Sequence, residues 1–416
     1  QRKAALGRVV KSDSVRIISP QVRFAGSLVE SIHANDARAL FTAALRAAGA
    51  DTSYNGWITP PADTVRRRVA RRDRYEDAER TFLQIADLPG VPGHEFRVRD
   101  AITALLPAWA KAVAITDTAG NLIVGVGPER DSVAFIAHMD EVSFEVEGIA
   151  ADGTVRLGRR GGVVATAWEG QPALLHFDRD ASGNVSPSLR GAFVPRDSAR
   201  TKPIAANTAW FGIDSAGLVA RGVHVGMGVT AYKRATRLAG TRVTGRGSDD
   251  RTGSAALLLA MQRIDPKTLN HRVIFVWSTR EEGGLFGASA FGAEHGRGLL
   301  RVYSIDTFVS SDTPLEQPMF AFAPLGQGAV LRGLDDGSMV PPAERDRILR
   351  IAKTNGIPIQ VGTTHGSTDG SSIAPLGAPN VGLSWPGRYS HSPGEVLDLR
   401  DVDALIRLIA AVAVAR

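Results

Sequence analysis

The sequence predicts an α/β fold: a mainly parallel sheet flanked by helices, interrupted by a small β-rich domain. Three observations carry this reading. From Tyr75 onward, apolar runs of strand length alternate with helix-length segments, the pattern of a sheet covered on its faces. Between Glu141 and about Arg246 that alternation stops, and short runs separated by Gly, Asp and Pro replace it. Side chains able to bind metal recur where apolar runs end, the place open α/β sheets reserve for their sites.

Taken in order, residues 1–72 form an N-terminal helical extension, with Ala/Leu periodicity from Ser27 to Ala48 and an Arg cluster (Arg66, Arg67, Arg68, Arg71, Arg72, Arg74) read as a solvated face or linker. The catalytic domain is expected over 73–141 and 247–416. The insert, over 142–246, is expected as a barrel or sandwich built on runs such as Thr154-Val155-Arg156-Leu157 and Ala173-Leu174-Leu175-His176-Phe177. The α/β pattern resumes at Asp249 with the apolar helix Ser254 to Ile264. It ends in an amphipathic helix from Val402 to Val414.

Composition narrows the chemistry. The chain has 416 residues, 44% of them hydrophobic, which is ample for a core and more than one ordinary domain requires. The net charge of +6 is spread over both signs, so nucleic acid is not an expected partner. No apolar run reaches the roughly 18 residues a membrane span needs. With no cysteine in the chain, every metal ligand must be His, Asp or Glu. The sequence begins at Gln1 rather than Met, and the expectation is that an upstream piece has been removed; export follows if Gln1 is a processed terminus, a cytoplasmic location otherwise.

Five such ligands stand at five expected strand ends. His138 follows Val133-Ala134-Phe135-Ile136-Ala137, Asp249 lies in Gly247-Ser248-Asp249-Asp250-Arg251, Glu282 follows Val273 to Trp277, Asp306 closes Val302 to Ile305, and His391 follows the run Asn380 to Trp385. Asp140, two residues from His138, can hold the other ring nitrogen. N-cap duty explains one of Asp249 and Asp250, but not both. Glu281 and Glu282 can divide the work, Glu282 as ligand and Glu281 as general base. Two divalent cations bring four positive charges against three from Asp249, Glu282 and Asp306, so one bridging hydroxide neutralises the cluster. That arrangement suits amide hydrolysis.

At these motifs the chain resembles the glutamyl and deblocking aminopeptidases, the dinuclear zinc peptidases that include tetrahedral aminopeptidases. The resemblance runs from about residue 75 to the end, through Leu88-Pro89-Gly90-Val91-Pro92-Gly93-His94-Glu95, Asp117-Thr118-Ala119-Gly120-Asn121, Ala137-His138-Met139-Asp140-Glu141, Ser248-Asp249-Asp250-Arg251-Thr252-Gly253, Glu281-Glu282-Gly283-Gly284-Leu285, Ser311-Asp312-Thr313-Pro314, Ser367-Thr368-Asp369-Gly370 and Arg388-Tyr389-Ser390-His391-Ser392-Pro393-Gly394-Glu395. It implies a zinc-peptidase-like fold with a PDZ-like insert and the ligand set His138, Asp249, Glu282, Asp306 and His391. It further implies that Asp249 bridges, that Glu281 is the base, that Asp140 orients His138, and that the Asp249–Asp250 peptide is strained, with a cis bond its expected form. Two divalent ions are the implied cofactors; Zn²⁺ comes first, and Co²⁺ and Mn²⁺ suit the same ligands.

The function expected is a metal-dependent aminopeptidase that takes the N-terminal residue from peptides through a metal-bound hydroxide. The alternatives are a dinuclear zinc amidase or deacylase, a carboxypeptidase-like hydrolase, and an inactive binding protein on the same scaffold. Asp369, Arg388 and His365 are the expected substrate-binding residues, with Arg251 and Arg280 as further cations for a glutamyl pocket. A homo-oligomer is expected, smaller than the family dodecamer because residues 1–72 find no counterpart. The chain also departs from the family: Gly283 and Phe286 stand where members usually carry Val and Arg, Arg280 replaces a residue typically neutral beside the base, and Met227 stands where a turn of the insert would have Asp.

Overall fold

The structure, a computed structural model, describes residues 73–195, 207–310 and 323–415, with short pieces between 10 and 46. Most of the expected extension over 1–72, five of the six arginines of its cluster, and the Ser311-Asp312-Thr313-Pro314 motif lie outside the described residues. Within that extension, Ser31–Ile32 pairs with Val22–Arg23 as a strand, where a helix was expected from Ser27. Helical residues are described there at 40, 42–44 and 46.

Strands are numbered here from residue 73. The central sheet contains β1 (Ala114–Thr116), β2 (Leu122–Val126) and β3 (Ser132–His138), then, after the intervening inserted segment, β12 (Val273–Ser278), β13 (Leu299–Val309), β14 (Ala329–Leu334), β15 (Ile359–Thr363) and β16 (Asn380–Gly387). Its order is β15-β14-β16-β13-β3-β12-β2-β1. The run Val133 to Ala137 is apolar at every position because both faces of β3 are covered. Val133, Phe135 and Ala137 face one core, while Ala134 and Ile136 face the other.

The first of these cores is filled by the helices Glu76–Ala86, Ser248–Met261 and Leu399–Val414; all 14 residues of the middle one are buried. The second lies under Phe286–His295 and Gly370–Ile373. No helix among the described residues is long and apolar enough to cross a membrane.

Four of the sheet's seven described pairings are parallel, so the mainly parallel sheet that was expected also carries antiparallel members. β3 runs parallel to β12 and β13, β13 to β16, and β14 to β15, whereas β14–β16, β12–β2 and β2–β1 are antiparallel. The cause is local at one edge. Asp117 to Asn121 form a tight turn, closed by Gly120 N to Asp117 O at 3.1 Å with Gly120 at φ 90°, and so short a link can only reverse the chain.

The insert is a closed barrel. Its strands are β4 (Ser143–Ile149), β5 (Thr154–Arg160), β6 (Pro172–Leu175), β7 (Leu189–Phe193), β8 (Thr208–Trp210) and β9 (Gly228–Ala231), in the order β6-β7-β8-β5-β4-β9. Its core is separate from the others and centres on Phe144, Trp168 and Phe193. Beyond the barrel, β11 (Arg242–Gly245) pairs on one side with β10 (Thr236–Arg237) and on the other with β17 (Glu395–Asp398), in a small sheet that carries the chain into the Ser248–Met261 helix.

Candidate metal centre

Only one of the five expected ligands sits on the last residue of a strand of the central sheet. His138 ends β3, but Asp306 lies inside β13, which continues to Val309 because β16 pairs with it to that point. Asp249 follows β11 of the small sheet and opens a helix, and Glu282 and His391 stand in loops after β12 and β16. The five converge nevertheless.

His138 Nε2 is 3.3 Å from Asp249 Oδ1, 4.0 Å from Asp306 Oδ1 and 3.9 Å from Glu281 Oε2. His391 Nε2 is 3.6 Å from both Asp249 Oδ2 and Glu282 Oε1. Asp249 therefore turns one oxygen to His138 and Asp306 and the other to Glu282 and His391. Three sets of residues offer ligand atoms within 4.8 Å of one another: His138, Asp249 and Asp306; Asp249, Glu282 and His391; and His138, Glu281 and Glu282.

The neighbouring acids divide as their surroundings require. The Asp249–Asp250 peptide is cis, and the two side chains part. Asp250 Oδ1 accepts from Trp385 Nε1 at 3.0 Å and from Gly253 N at 2.9 Å, so it caps the helix and leaves Asp249 to the centre. At the Glu-Glu loop, Glu281 N donates to Asp140 Oδ1 and Glu282 N to Asp140 Oδ2, each at 3.0 Å. Asp140 thus anchors that loop by its backbone, and its Oδ1 is 3.5 Å from His138 Nδ1, which is buried and makes no hydrogen bond.

The electrostatics describe a site short of positive charge. Burial pushes Glu281 and Glu282 well above the carboxylate range, and neighbouring carboxylates add to it. Asp306 is raised to about 7, by burial first and then by Asp249. Asp249 is the exception: burial opposes its charge, yet the hydrogen bond and charge of His138 bring it to about 2. Burial likewise disfavours a charged His138, but Glu281, Asp140 and Asp249 outweigh it and hold the ring well above the histidine range. Glu282 Oε1 is buried with no hydrogen-bond donor. Imidazole and carboxylate donors, an unsatisfied oxygen and crowded buried acids fit divalent cations.

The other expected site residues fare differently. Asp369 is buried at 3% exposure, accepts from Ser278 Oγ and is raised to about 6 by burial, so it stands behind the Glu281 loop and not on an open surface. Arg251 is wholly buried, donating to Asp140 O at 2.9 Å and Leu88 O at 3.2 Å, which removes it as a pocket cation. His365 is exposed and turned to Asp336 at 3.1 Å. Arg388 is half-buried on a backbone bridge to Val396.

Two buried acids went unnoticed in the sequence. Glu395 accepts from Asp249 N at 3.2 Å and His391 N at 2.8 Å, and Glu95 accepts from Gly93 N at 2.8 Å and Arg280 N at 2.9 Å. Both fall inside motifs already singled out, and an acid four residues after a ligand was the available signal for Glu395.

A pH dependence follows for the metal-free chain. Asp369 at about 6, Asp306 and Glu95 at about 7 and Glu395 at about 8 all lie above the roughly 4 of an unfolded carboxyl. Folding therefore favours their protonated forms. Their contribution is full below pH 4 and is lost as pH rises through 6 to 8. Calorimetry on chelator-treated protein should show the melting temperature falling from pH 5 to 8, and saturating Zn²⁺ should recover most of the loss. A flat profile without metal would contradict this account.

Residues 120–408 match the family described as M42 glutamyl aminopeptidase. The lysyl aminopeptidase of Pyrococcus furiosus is 27% identical over 346 residues, covering 79% of this chain and 94% of that one. The glutamyl aminopeptidase of Lactococcus lactis subsp. cremoris is 25% identical over 338 residues, covering 76% and 90%. Among solved structures, the TET1 peptidase of Pyrococcus horikoshii, described as assembling into a tetrahedron or a large octahedral shell, superposes with a TM-score of 0.73 at 28% identity, covering 82% of this chain and all of that one.

Proposed function

The chain belongs to the M42 glutamyl aminopeptidase family and is a peptide hydrolase, and from that premise we propose that it removes N-terminal residues from peptides at a dinuclear centre. One cation would be held by His138, Asp249 and Asp306, the other by Asp249, Glu282 and His391. The observation that carries this reading is the division of the two Asp249 oxygens between the two groups. Zn²⁺ is the expected metal.

Two divalent cations placed there supply an activated water and polarise the scissile carbonyl. The chain's own residues do the rest. Glu281, buried with its Oε2 3.9 Å from His138 Nε2 and assigned to neither ligand set, is placed to take a proton at Oε2 and return it to the leaving amine. Asp140 fixes the position of that base through the Glu281 amide. Arg388 and His365 remain our assignments for substrate contact, while Asp369, first expected with them, is buried against Ser278 and supports the Glu281 loop from behind. In keeping with the shells formed by the Pyrococcus horikoshii TET1 peptidase, we assign a homo-oligomer.

The test is paired. Zinc-loaded protein should release p-nitroaniline from an aminoacyl anilide and leave its N-acetylated counterpart intact. Cleavage of the acetyl group in preference to the anilide would replace the aminopeptidase reading with a deacylase.

A further inference from the structure

His391 is held from two sides, and mostly by the insert. It adopts φ 65°, which a residue with a side chain rarely keeps without support. Its N–H donates to Glu395 Oε1 at 2.8 Å, and this is the tie from the catalytic domain. Its carbonyl accepts from Trp168 Nε1 at 3.1 Å and from Val164 N at 3.3 Å. Its Nδ1 stands 3.0 Å from Gly162 O. Trp168, Val164 and Gly162 all belong to the barrel insert.

The chemistry of these partners decides the ring. A backbone carbonyl only accepts, so Nδ1 carries the proton and Nε2 keeps its lone pair, pointed at Asp249 and Glu282. The turn that brings Gly162 there tolerates no side chain. A Cβ on Gly162 would lie 2.7 Å from His391 Nδ1, and one on Gly161, which has φ 83°, would lie 3.0 Å from Glu282 Oε2. Trp168 is fixed edge-on to Phe144 and Phe193, with ring centroids 5.3 and 5.5 Å away, so its indole N–H has one direction to donate. His138 differs: its carbonyl accepts from Ser254 Oγ at 2.9 Å, and Ser254 lies in the catalytic domain.

We propose that the inserted barrel is a working part of the metal centre: Gly162 and Trp168 are positioning residues that set the tautomer and aim of His391. The cation held by Asp249, Glu282 and His391 then depends on the barrel, and the cation held by His138, Asp249 and Asp306 does not. This rests on the dinuclear reading above. Partners that orient a ligating histidine are worth about 10–100-fold in metal affinity.

Trp168→Phe removes the indole N–H and keeps an aromatic ring in the barrel core; Gly162→Ala sets a methyl against His391. Full-length protein would be titrated with Zn²⁺ by calorimetry, and the ring ¹⁵N shifts of His391 read without metal. In both variants one ion should bind as in the unmutated chain and the second about 10–100-fold more weakly, with the Nδ1–H tautomer no longer dominant. If both ions bind unchanged, or both weaken equally, the barrel does not position His391. An unmutated chain that takes up fewer than two ions would overturn the dinuclear reading, and this inference with it.

Discussion

Replacing Asp249 by Asn should empty both metal positions at once. Asp249 belongs to both proposed ligand sets, its Oδ1 meeting His138 and its Oδ2 meeting His391. At an effective dielectric near 20, losing one unit charge beside a divalent cation forfeits about 8 kcal/mol even at a separation of about 4 Å, and a ligating carboxylate would stand closer than that. That is a loss of at least about 10⁵-fold in affinity, and turnover should fall with occupancy. Asp250→Asn is the adjacent control. Asp250 serves Trp385 and Gly253 with one oxygen, and an amide oxygen can accept both bonds, so metal content should stay at two per chain. Elemental analysis and anilide turnover on both variants decide the matter. Retention of either ion in Asp249→Asn would show that the carboxylate is not shared.

The contrast between these two aspartates shows what the sequence disclosed. An apolar strand ending in His138 was legible because a strand buried on both faces leaves a polar residue only where it emerges. Adjacency in Asp249-Asp250 and Glu281-Glu282 announced divided roles, and the structure makes the division physical through Trp385, Gly253 and the paired amides on Asp140. The sheet was legible as α/β, but its antiparallel members were not, because strand direction is set by connection geometry that apolar runs do not encode. The Asp306 strand end was misplaced for a similar reason: β13 is extended by its pairing with β16, a partner far along the chain.

What stayed hidden lay across long separations. Glu395 reaches Asp249 over 146 residues, Trp168 reaches His391 over 223, and His391 reaches Gly162 over 229. Gly161-Gly162 reads as an ordinary turn, and Trp168 as an ordinary core residue of a small barrel. Only the folded chain shows that the same turn touches two ligands. Arg280, expected as a further cation for a substrate pocket, holds its guanidinium over the exposed ring of Phe286, 5.6 Å from the centroid.

With Arg280 turned away, the behaviour of Glu281 rests on the cluster itself, and the neighbouring Glu282 provides a control one residue distant. Glu281→Gln keeps the backbone N–H that donates to Asp140 and alters only the His138–Glu281–Glu282 group, leaving intact the Asp249–Glu282–His391 and His138–Asp249–Asp306 groups to which the cations are assigned. It should therefore retain two ions while the chemical step slows by roughly 10²–10⁴-fold, the usual contribution of a positioned general acid and base. Glu282→Gln replaces the oxygen that faces His391 Nε2 at 3.6 Å. There the ion on that side should be lost and the His138 side kept, so metal content falls toward one per chain. Metal analysis separates the two variants before any assay is run, and turnover at saturating substrate then isolates the proton-transfer role. Full activity in Glu281→Gln, or metal loss there with retention in Glu282→Gln, would reverse the assignment of base and ligand.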